Sequence, residues 1–154
     1  MTTAAAKPSA ENELVITRVF DAPRELVFKA WTDPRHIGKW FGPKHHPSVN
    51  MSIDVRPGGA WRGRLRPVAG GPDLALGGVY REIVPPERLV FTFAWDEEGE
   101  RGLETVVTIT FEDQGGKTRM TLRQVPFQST GERDGHNEGW SSCFDRLDEF
   151  LAKK

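Results

Sequence analysis

Helical segments bracket a run of alternating strands in this chain, and that order admits few folds. The first segment reads Phe20-Asp21-Ala22-Pro23-Arg24-Glu25-Leu26-Val27-Phe28-Lys29-Ala30-Trp31 and continues through Asp33-Pro34 to Gly42-Pro43. The last is an amphipathic helix from Gly139-Trp140 to Leu151. Between them lie β-type segments and no other long helical pattern. A single long helix closing over a curved antiparallel sheet tends to leave a hollow, so the order of elements predicts an α+β domain with a cavity.

The local signals are specific. Leu14–Phe20 is rich in β-branched residues and reads as the first strand. A helix is expected from Asp21-Ala22-Pro23, since proline is tolerated in a first turn, with Leu26, Val27, Ala30 and Trp31 as its buried stripe. Asp33-Pro34 starts a second short helix ending near Trp40. Val49, Met51, Ile53 and Val55 then alternate with polar residues, and Pro57-Gly58 occupy type II turn positions before a strand at Ala60–Leu65. Leu76–Val84 contains Gly77-Gly78, glycines that mark a bulge or bend. Leu89, Phe91, Phe93 and Trp95 alternate strictly, and Leu103–Phe111 with Thr118–Gln124 form the last hairpin around Gly115-Gly116. Seven strands result. Ser129 and Glu132 form a capping box before a final helix whose Trp140, Phe144, Leu147 and Leu151 share one face.

Composition narrows the functions. The 154 residues suit one domain, with a tail expected at 1–12 and a folded unit at 13–152. With 21 basic and 22 acidic residues the net charge is −1, which argues against a nucleic-acid partner held by an electropositive face. No run of 18 apolar residues predicts a membrane span, the start lacks a signal-peptide core, and a cytoplasmic location is the default expectation. The single cysteine, Cys143, reads as a small buried hydrophobe.

Taken in order, these pieces resemble the START-like (SRPBCC) helix-grip superfamily, and within it the activator of Hsp90 ATPase homologue 1-like family. The matching residues are Arg18–Pro23, Val27, Trp31, Trp40-Phe41-Gly42-Pro43, Asp54–Trp61, Gly78–Ile83, Pro86–Val90 and Gly139-Trp140, spanning about residues 13–152. The resemblance implies a helix-grip (START/Bet v 1-like) fold. A seven-stranded curved antiparallel sheet would carry two short helices after strand one and a long C-terminal helix packed across it. It also implies three functional classes: a carrier of apolar ligands, a polyketide cyclase or aromatase, and an Hsp90 co-chaperone module. Fold alone does not choose among them.

The residues expected to face the helix, as cavity lining or as closed core, are Val49, Met51, Ile53, Trp61, Phe91, Phe93, Trp95, Val107, Ile109, Met120 and Leu122. From the helix come Trp140, Cys143, Phe144 and Leu147. Two features favour hollow space. Gly135 and Gly139 stand inside the long helix at about 1 kcal/mol each relative to alanine. Five Trp and nine Phe in one small domain also supply aromatic walls.

His36, His45, His46 and His136 have no metal-ligand spacing, so they read as solvent or loop histidines and no metal or cofactor is predicted. Ser141 and Ser142 have no histidine at helical spacing, and Glu104 and Glu112 have no evident partner, so no catalytic set is assigned. Arg62, Arg64, Arg81 and Arg123 sit at outer-face parity, while Gln124 or Tyr80, if turned inward, would orient a polar group on a ligand. The reading that follows is an apolar or aromatic small-molecule binder, with the cyclase and the co-chaperone as alternatives. An Hsp90-type partner is the least favoured, because the co-chaperone's other domain has no counterpart in this length.

Overall fold

The computed structural model describes residues 12–97 and 100–153. The tail expected at 1–12 lies, apart from residue 12, outside them. The chain runs β1 (Leu14–Phe20), α1 (Arg24–Thr32), α2 (Pro34–Ile37), β2 (Ser48–Ile53), β3 (Ala60–Leu65) and β4 (Leu74–Val84). It continues with β5 (Arg88–Glu97), β6 (Glu100–Arg101), β7 (Thr105–Gln114), β8 (Lys117–Val125) and α3 (Thr130–Ala152). Seven strands form one antiparallel path, β1-β8-β7-β5-β4-β3-β2, and the two-residue β6 pairs only with β5. The two chain-end elements are neighbours: β1 closes on β8, and Arg18 of β1 pairs with Asp145 of α3 and reaches the Ser141 carbonyl.

Turn chemistry places the strands. Gly58 takes φ +84° in the Pro57-Gly58 turn, and Gly115 and Gly116 both have positive φ in the two-residue β7–β8 connection. Pro23 caps α1 rather than entering it, and Asp33 caps α2 by accepting the Arg35 N–H at 2.8 Å. Phe28, absent from the predicted stripe, is buried edge-on to Phe111 with ring centroids 5.3 Å apart. The capping box of α3 is displaced by one residue. Ser129 Oγ accepts the Glu132 N–H at 3.1 Å, while the Glu132 carboxylate accepts the Gln128 N–H, also at 3.1 Å.

Two strands depart from simple alternation. A bulge between Ser48 and Asn50 turns Val49 to solvent, 44% exposed, so it leaves the predicted interior set. Central β5 is buried on both faces from Leu89 to Ala94, Thr92 included. Gly77-Gly78 marks an opening in the β4–β5 ladder: pairing holds at Gly77–Ala94 and Tyr80–Phe91, but not between. In the gap the Thr92 carbonyl accepts the Trp61 indole N–H at 2.9 Å, and Thr92 Oγ1 accepts the Val79 N–H at 2.8 Å. A register shift follows at Tyr80/Glu82, beyond the glycines.

Candidate functional site

The helix α3 does not bury evenly. All of its buried residues, Trp140, Cys143, Phe144, Leu147 and Leu151, lie from Trp140 onward. From Thr130 to Gly139 the helix lifts over β3–β5 and the loop after α2, with none of these residues fully buried and His136 reaching back to the rings of Phe93 and Phe127. That lift leaves a cavity of about 250 Å³ lined by Phe41, Gly42, Pro43, His46, Leu65, Leu74, Leu76, Phe93, Trp95, Gly135, His136, Gly139, Trp140 and Cys143. Exposed Leu74 and Gly135 mark its mouth. A Cβ on Gly135 would meet nothing within 4 Å, and one on Gly139 only Pro43 Cγ at 3.8 Å. These two glycines therefore keep side-chain volume out of the hollow.

The loop side is fixed by α3 itself. Arg146 donates Nη1 to the carbonyls of Phe41 (3.1 Å) and Gly42 (2.8 Å), and Nη2 to that of Lys39 (3.3 Å). Ser142 Oγ accepts the Lys44 N–H at 2.8 Å. Gly42, at φ +97°, leaves no space for a Cβ between the His46 carbonyl and the Ser48 N–H. Phe41 and Pro43 are thus held against the helix, which accounts physically for the Trp-Phe-Gly-Pro run.

A buried polar relay sets the Trp140 ring. Its indole N–H donates to Gln124 Oε1 at 2.8 Å, Gln124 Nε2 donates to Thr105 Oγ1 at 2.9 Å, and Thr105 Oγ1 donates to the Phe93 carbonyl at 3.0 Å. Gln124 points inward as considered from sequence, but its amide is committed to orienting Trp140. Tyr80 is buried beside Phe91, away from the cavity lining, and burial raises its phenol well above the usual tyrosine range. Burial likewise pushes the Cys143 thiol up to about 12, so it meets the cavity protonated.

His136, read from sequence as a solvent or loop histidine, is half-buried at the cavity wall. Its Nε2 accepts the Trp95 indole N–H at 3.1 Å, and its ring centroid lies 5.0 Å from Phe127 and 5.5 Å from Phe93. Desolvation lowers its pKa below the ordinary 6.5, partly opposed by Glu132. The unfolded chain therefore takes up the proton first, and the stability contributed by neutral His136 is complete above about pH 6.5 and falls as the pH drops. Urea denaturation should show a larger loss between about pH 7.5 and pH 5.5 for the native protein than for His136→Phe. Equal losses would contradict this.

Of the residues expected to line a cavity, Phe93, Trp95, Trp140 and Cys143 come together at this one. Trp61 and Phe91 border a separate hollow of only about 10 Å³. Val107, Ile109, Met120, Leu122, Phe144 and Leu147 are fully or almost fully buried in packed core, and Met51 and Ile53 pack half-buried on β2. The other wall residues come from the α2–β2 loop, from β3 and β4, where sequence alternation gives an inward direction at most, and from Gly135, His136 and Gly139 of α3.

Solved structures share this fold. Protein CV1439 from Chromobacterium violaceum is 28% identical with a TM-score of 0.83, covering 91% of this chain and 96% of that one. The AHSA1 protein SPO3351 from Silicibacter pomeroyi is 25% identical at the same TM-score of 0.83, covering 91% and 97%. Protein Ms6760 from Mycobacterium smegmatis is 26% identical at 0.78, covering 92% and 91%. No functionally curated protein matches the chain. The family described as activator of Hsp90 ATPase homolog 1-like protein matches residues 21–152, nearly the whole of the described fold, and the chain belongs to that family.

Proposed function

We propose that this protein binds an apolar small molecule in the cavity beneath the first half of α3. One observation carries the reading: the helix lifts from the sheet at two glycines and leaves about 250 Å³ walled almost wholly by apolar groups. A helix that only covered a core would gain from alanine at both positions. The four aromatic rings of the wall supply contact area, and the Gln124 relay fixes one of them before any ligand arrives. The chaperone activity in the family's name describes the homologue it was named for, and the cavity makes no use of it.

Amide and indole NMR titration against small aromatic, fatty-acid, sterol and flavonoid compounds tests the reading. Saturable shifts are expected at the Trp95 and Trp140 indole signals, with Trp31 unmoved because it lies outside the cavity wall. A panel without a saturable shift at either indole would refute it.

A further inference from the structure

Resting on the ligand-binding reading, we propose that the occupant is a flat one- or two-ring aromatic molecule bearing a hydrogen-bond-accepting oxygen, and that His136 Nδ1–H recognises that oxygen. Size gives the first constraint. The cavity offers about 250 Å³. That falls below the 300–1,000 Å³ or so of drug-sized pockets and is too small to enclose a sterol or a long acyl chain.

Shape gives the second. Phe93 meets Trp95 at 79° and Trp140 at 59°, and Phe41 meets Trp140 at 85°. The walls consequently offer both ring faces and ring edges, the two surfaces against which a flat aromatic body packs best.

Polarity gives the third. The Trp140 indole N–H is taken by Gln124, and the Trp95 indole N–H by His136 Nε2. Because Nε2 accepts, the neutral imidazole carries its hydrogen on Nδ1. No described residue accepts that hydrogen, and the nitrogen is not sealed from the surroundings. His46 also lines the cavity, but no aromatic contact or side-chain hydrogen bond holds its ring among the described residues. His136, fixed by the rings around it and by Trp95, is the preorganised donor. An uncommitted donor in an apolar wall discriminates against ligands that cannot satisfy it.

The experiment compares naphthalene, 2-acetylnaphthalene and 2-decanone by indole NMR titration. Each is run on the native protein, His136→Phe and His46→Phe, with thermal melts to verify folding. The native protein should bind 2-acetylnaphthalene about five- to tenfold more tightly than naphthalene, as one net hydrogen bond allows, and 2-decanone more weakly than 2-acetylnaphthalene. His136→Phe should erase the preference, so that the two naphthalenes bind alike, and His46→Phe should preserve it. Equal binding of the two naphthalenes, or a preference that survives His136→Phe, would overturn the donor assignment while leaving the cavity as a binding site. Equal binding of 2-decanone would overturn the flat-ring part. Binding of none of the three, while another member of the wider panel shifts the Trp95 or Trp140 indole, would overturn the occupant and leave the cavity as a binding site; silence across the wider panel as well would remove the ligand-binding reading.

Independently of any variant, imidazole ¹⁵N spectra of the native protein should show the Nδ1–H tautomer at His136. Nδ1 should shift with 2-acetylnaphthalene and not with naphthalene. An Nε2–H tautomer would overturn the proposal.

Discussion

Gly78→Ala is expected to abolish the native fold or leave it only marginally stable. A Cβ at this position would collide with the Thr92 carbonyl oxygen and approach the Trp61 indole nitrogen to 2.7 Å. Neither neighbour can yield cheaply. Thr92 belongs to central β5, buried on both faces, and its carbonyl accepts the Trp61 N–H. Moving β5 away would disturb Phe91 and Phe93, whose rings contact Trp61, Trp31 and Trp140. Overpacking ordinarily costs about 1–3 kcal/mol. A clash with immovable backbone belongs with the rare losses above about 4–5 kcal/mol, comparable with a whole domain's stability. Gly135→Ala is the matched control, because nothing lies within 4 Å of its Cβ and the helix gains about 1 kcal/mol. Far-UV circular dichroism and thermal unfolding separate the two. A Gly78→Ala protein melting within a few degrees of the native one would show that β4 and β5 are not locked at this point.

Much of this architecture is written in local residue patterns. The Pro57-Gly58 turn, the Ser129 cap and the apolar face of the last helix each answer to short-range rules and appear at their expected places, as does strand alternation outside β2 and β5. The cavity does not follow from such rules. Alternation says which way Phe93 and Leu122 point, but not that one meets empty space and the other a packed core. That difference depends on where α3 parts from the sheet, which is a long-range property. Its trace in the sequence is Gly135 and Gly139, two unfavourable residues in a helix, legible as a cost but not as a location. His136 was missed because one imidazole beside polar helix residues gives no sign of the Trp95 indole, 41 residues away, that fixes its tautomer. Burial of Thr92 and Ala94 on the outer face of β5 was equally hidden. The stem of Arg62 lies over neighbouring Gly77, with its Cγ 3.5 Å from where a Cβ would stand, so an outer-face arginine covers sheet as well as meeting water.

Gly139→Leu should separate cavity from core more cleanly than any change at Trp140. Trp140→Ala would remove a ring 4% exposed, leave Gln124 Oε1 without its donor and cost about 3–5 kcal/mol, so lost binding would be confounded with lost packing. Position 139 has the opposite balance. Its Cβ would touch only Pro43 Cγ at 3.8 Å, an ordinary contact, and the rest of a leucine would extend into the 250 Å³ hollow. Glycine is also among the worst helix formers, so the helix itself gains about 1 kcal/mol from the substitution. The expected result is a protein as stable as the native one or slightly more so, with affinity for any ligand of this cavity reduced at least about tenfold, since overlapping volume cannot be compensated by small shifts of a close-packed wall. Gly135→Ala should bind with nearly native affinity, because one methyl at the mouth displaces little. Unchanged affinity in a folded Gly139→Leu protein would place the ligand elsewhere, whereas lost affinity with an unchanged or raised melting temperature has no explanation in packing alone and locates the binding site under the lifted half of α3.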